Sequence, residues 1–110
     1  MIQIQSYLEG KWQFGSGKAS VLVDPSTEEP VAEACADGLD LAAALAFARD
    51  KGGAALRAMT FAERGELLRA MSRAIHGKRD ELLALSVRNA GTTRSDAKFD
   101  VDGATGTLAY

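Results

Sequence analysis

At Asp37 the sequence changes character, and that change constrains the fold more than any single motif. Before it the chain is rich in Gly, Pro and β-branched residues; after it come Ala, Leu and Arg. The first set favours strands and turns, the second helices. The chain therefore reads as β-ribbons over 1–37 and a helical segment over 38–110. Its fold class is α+β: short antiparallel ribbons followed by four helices, within a length that suits one domain at most.

The strand part is set by its turns. Glu9-Gly10 sits between two aromatic-bearing runs, Tyr7-Leu8 and Lys11-Trp12-Gln13-Phe14, which predicts a tight hairpin. Gly15-Ser16-Gly17-Lys18 reads as a flexible loop. Ser20–Val23 forms a strand closed by Asp24-Pro25-Ser26-Thr27, whose residue types favour a turn, and Val31–Ala36 returns antiparallel to it. These ribbons are too few for a free-standing sheet protein.

The helices are marked by their ends. Asp40 caps one running to about Arg49, with Gly52-Gly53 as its stop. Thr60-Phe61-Ala62-Glu63 is a capping box. The helix it opens carries Phe61, Leu67, Leu68, Met71, Ala74 and Ile75 on one stripe, with Arg64 in its middle and Glu66, Arg69, Arg73 and His76 opposite. Gly77 separates it from Lys78–Ala90, where Leu82, Leu83, Leu85 and Ala90 point inward and Gly91 ends the run. Thr93 or Ser95 caps a last helix with Ala97, Val101, Ala104 and Leu108 as its stripe. Gly103 and Gly106 there permit close approach of a neighbour. That stripe has no evident partner in the chain, and the pattern stops at Tyr110 with no Gly or Pro stop. The expectation is that residues 1–110 form the front of a longer protein.

Composition narrows the function. No apolar run approaches 18 residues, so no membrane span is predicted, and no secretory leader is visible. The expected location is cytoplasmic. A net charge of −2 argues against nucleic acid as a partner. That charge is unevenly placed. Residues 1–56 carry four Lys/Arg against eight Asp/Glu, whereas residues 57–98 carry nine against five. This fits complementarity within or between subunits. The one Cys cannot close an intrachain disulfide, and one Cys with one His cannot form a typical zinc site.

Catalytic candidates are few. Gly15–Lys18 is not a phosphate loop, because Trp12 stands where that motif needs Gly and Ala19 where it needs Ser or Thr. Cys35 lacks a nearby base, His76 being 41 residues away, and reads as a small buried strand residue. His76 itself reads as a solvated side chain. Asp96 and Asp100 share a helix face, a spacing that serves acid–base chemistry or a cation but more simply a solvated surface. Arg64, on an apolar stripe, is expected to be partly buried and paired with a carboxylate as an internal anchor. No catalytic and no cofactor-binding residue is assigned.

Taken in order, these elements resemble the N-terminal stretch of the aldehyde dehydrogenase superfamily. The resemblance rests on Gly10-x-Trp12, on Val23-Asp24-Pro25-Ser26-Thr27-Glu28-Glu29, and on Arg64-Gly65-Glu66-Leu67-Leu68 through Arg79-Asp80-Glu81-Leu82. Asp24 stands for the family's usual Asn and Glu28 for its usual Gly. Gly38-Leu39-Asp40, Gly52 through Thr60, Gly91-Thr92-Thr93-Arg94 and Asp100-Val101-Asp102-Gly103 resemble one branch in particular. That branch acts on CoA-thioester semialdehydes in the aerobic degradation of aromatic compounds such as phenylacetate and benzoate.

The resemblance implies an α/β parent with nucleotide-binding, catalytic and oligomerisation parts. In it a Cys thiolate attacks the aldehyde, hydride passes to NADP or NAD, and a Glu activates water. Those groups, and the glycine-rich cofactor turn, match no residue in this stretch. No bound cofactor and no dehydrogenase activity are therefore expected of the 110 residues alone. The resemblance also implies a structural cation on a backbone carbonyl matching Val23 and a carboxylate matching Asp100. Expected partners are the missing downstream chain and a second copy, through the C-terminal helix. The competing reading is a stand-alone α+β protein-interaction module that uses this helix.

Overall fold

The computed structural model describes all 110 residues, as two compact units, Met1–Ala58 and Met59–Tyr110. Strands occupy only the first unit: β1 (Ile2–Ile4), β2 (Ser6–Leu8), β3 (Lys11–Gln13), β4 (Ser20–Val23) and β5 (Pro30–Ala34). No helix is long and apolar enough to cross a membrane.

β2 and β3 form the expected hairpin, with Tyr7 opposite Trp12 and their rings 5.0 Å apart. Glu9 and Gly10 both have positive φ, 51° and 78°, the geometry that matches the twist of paired strands. β4 and β5 pair antiparallel as expected, but they do not stand alone as a ribbon. With β1 they form one mixed sheet of order β1-β5-β4, in which β4 runs antiparallel and β1 parallel to β5. The alternating Ile2-Gln3-Ile4 supplies the extra strand, and Gln3 donates a 2.8 Å hydrogen bond to Glu33. Central β5 carries the unit's buried core residues, Val31 and Ala32.

Two turns shape this unit. The Asp24 carboxylate accepts from the amides of Ser26 and Thr27, and Glu28 closes the turn with φ 62°. Glu28 thus holds a left-handed geometry without being glycine, at a steric cost. The Gly15–Lys18 loop is anchored, contrary to expectation. Gly15 N–H donates to the Cys35 carbonyl at 3.2 Å and Ser16 N–H to that of Asp37 at 2.9 Å. A Cβ on Gly15 would lie 2.6 Å from Cys35 O, and one on Gly17 would lie 2.4 Å from the Asp37 carboxylate. Close approach of the Cys35 and Asp37 backbone at Gly15 and of the Asp37 side chain at Gly17, rather than flexibility, accounts for these glycines.

Helix α1 (Leu41–Phe47) starts at Asp40, whose carboxylate accepts from Ala43 N–H. It does not stop at the glycine pair. A π-helical segment, Ala48–Gly53, carries the right-handed backbone straight into α2 (Ala54–Arg57). Gly53 keeps helical dihedrals, and the wider turn absorbs the pair without breaking the run.

The second unit holds α3 (Phe61–His76), α4 (Arg79–Ala90) and α5 (Arg94–Ala109). Thr60 and Glu63 form the complete capping box, Gly91 ends α4 with φ 64°, and Thr93 caps α5. α5 packs on both α3 and α4. Its stripe therefore has partners within the chain, which corrects the reading of a helix without cover. The inward positions are Ala97, Val101, Thr105 and Leu108, with Ala104 exposed. Thr105 takes that place because its hydroxyl is satisfied by the carbonyls of Val101 and Asp102. Nothing approaches Gly103 or Gly106.

α3 also turns differently from the expected stripe. Its buried residue is Ser72, whose hydroxyl donates to the Thr105 carbonyl at 2.8 Å. Phe61, Leu67, Leu68 and Met71 are exposed. On α4, Leu83 is fully buried, whereas Leu85 and Ala90 lie outside.

Candidate functional site

An open groove of about 680 Å³ lies between the end of α3, the start of α4 and the later turns of α5. Ser72, His76, Arg79, Asp102 and Thr105 supply its polar atoms. Arg79, the first residue of α4, meets Asp102 on α5 side-on, with Nε to Oδ1 and Nη2 to Oδ2 both at 2.7 Å. These hydrogen bonds hold the Asp102 carboxyl below its ordinary range and raise the guanidinium further above its own. Sequence reasoning missed this pair. The available signal was an Arg opening one helix and an Asp on the next, read separately.

The groove is built for cohesion rather than turnover. Ser72 spends its proton on a carbonyl, Asp102 is fully engaged by Arg79, and the lining contains no thiol. His76 has neither a nucleophile nor an orienting carboxylate bonded to it, and so lacks the parts of an acid–base relay.

The other candidates lie apart from it. Cys35 is half-buried just past β5, in the first unit, and its carbonyl holds Gly15; His76 belongs to the second unit. The amides of Gly15 and Ser16 are committed to Cys35 and Asp37, so the loop has no free nest for a phosphate. Asp96 serves the α5 cap, accepting from the Thr93 hydroxyl at 2.8 Å. Val23 lies at the irregular end of β4, opposite Pro30. Asp100 is exposed on α5, in the other unit. A backbone carbonyl and one carboxylate are oxygen donors suited to a hard cation, but the chain contains no cluster of three His, Cys, Asp or Glu that holds one.

Arg64 departs from expectation in its partner. It is half-buried, as the stripe predicts, but no carboxylate lies within ion-pair distance. Its guanidinium carbon sits 5.5 Å from the centre of the Phe61 ring, and its Nε is buried with no hydrogen-bond acceptor. The two acids of α3 are already committed, Glu63 to the Thr60 cap and Glu66 to Arg69 at 2.6 Å.

Comparison with known proteins places this architecture. The chain is 45% identical over 103 residues to the 3,4-dehydroadipyl-CoA semialdehyde dehydrogenase of Aromatoleum evansii, a match covering 94% of this chain and 20% of that one. Its fold matches a NAD-dependent benzaldehyde dehydrogenase from Corynebacterium glutamicum with a TM-score of 0.83 at 22% identity, over 96% of this chain and 23% of that one. The chain thus spans about a fifth of the length of these two proteins. The model of the aldehyde dehydrogenase family matches residues 12–110, and the chain belongs to that family.

Proposed function

We propose that this chain is the N-terminal part of an NAD(P)-dependent aldehyde dehydrogenase that oxidises a CoA-thioester semialdehyde in aerobic aromatic degradation. The observation that carries the reading is the 45% identity to a CoA-semialdehyde dehydrogenase across nearly the whole chain. NADP or NAD accepts the hydride in the whole enzyme. The 110 residues contribute the opening ribbons and a three-helix unit and supply no nucleophile, base or cofactor loop. The assignment of Val23 and Asp100 to a structural cation belongs to the same proposal and rests on resemblance.

The test is a chimera in which residues 1–110 replace the matching stretch of the Aromatoleum evansii enzyme. Reduction of NAD or NADP is followed by absorbance with 3,4-dehydroadipyl-CoA semialdehyde. The expected result is turnover by the chimera and none by residues 1–110 alone. A folded but inactive chimera overturns the reading. So does turnover by the 110 residues alone that disappears in Cys35→Ser.

A further inference from the structure

We draw no further inference here: the strongest candidate, the exposed face of α5 that carries Phe99, Gly103 and Gly106 at helical spacing and is continued by Tyr110, is an unpartnered stripe of aromatic and small residues, and nothing in the structure shows what covers it.

Discussion

Arg79 and Asp102 join α4 to α5 through two parallel hydrogen bonds of 2.7 Å across 23 positions of sequence. The pair is the only ion pair in the chain that engages both oxygens of a carboxylate. It is partly solvated, so its contribution is modest and is screened by salt.

Its pH dependence has a definite sign. The Arg79 hydrogen bonds lower the Asp102 pKa in the folded chain, so the stabilisation is fully present above the unfolded value and is lost as pH falls through the folded one. Urea melts of wild type and Asp102→Asn should keep a constant gap at neutral pH that closes below about pH 4. A gap that persists unchanged into acid contradicts the assignment.

Leu83 is the one large side chain that is fully buried. Leu83→Ala should cost about 2–5 kcal/mol, the usual range for a core leucine. Leu85→Ala, on the exposed side of α4, should cost well under half of that. Equal losses in denaturant melts would mean that α4 is rotated from the orientation described.

Arg64 has no carboxylate partner within ion-pair distance. In residues 1–110 alone, Arg64→Met removes an unsatisfied donor together with its charge, so stability should be unchanged or slightly higher. A loss above about 3 kcal/mol in urea melts, the cost of breaking a buried pair, would reveal a carboxylate partner within these residues.

Glu28 holds a left-handed backbone that glycine adopts freely. Glu28→Gly should stabilise the first unit by about 0.5–1 kcal/mol, strain relief being partly offset by the entropy of a freer unfolded chain. Thermal melts of the two proteins side by side decide it, and destabilisation would show that the Glu28 side chain makes a contact worth more than the strain.

Gly15→Ala should act in the opposite direction. The added methyl meets Cys35 O at 2.6 Å and Asp37 O at 2.8 Å, both backbone atoms that cannot swing aside. A loss of about 1–3 kcal/mol is expected from this overpacking. Tolerance of alanine would show that the loop relaxes without losing its anchor.

Local signals carried much of this fold. The Glu9-Gly10 turn, the Asp24 turn, the Asp40 and Thr93 caps, the Thr60–Glu63 box and the Gly91 stop all lie where neighbouring residues place them. Each is closed by bonds between residues a few positions apart, so residue type and spacing are sufficient information. The family was readable for the same reason, as an ordered set of such local devices. What escaped depended on contacts distant in sequence. β1 joins β5 across some thirty positions, Ser72 and Thr105 meet across 33, and the latter pair turned two polar side chains inward where an apolar count expected Leu and Ala. Apolar periodicity shows which face of a helix would gain from burial; which face is buried depends on the surfaces that tertiary packing brings against it. On α3 that packing satisfied Ser72 and left Phe61, Leu68 and Met71 uncovered around an arginine with an unmet donor.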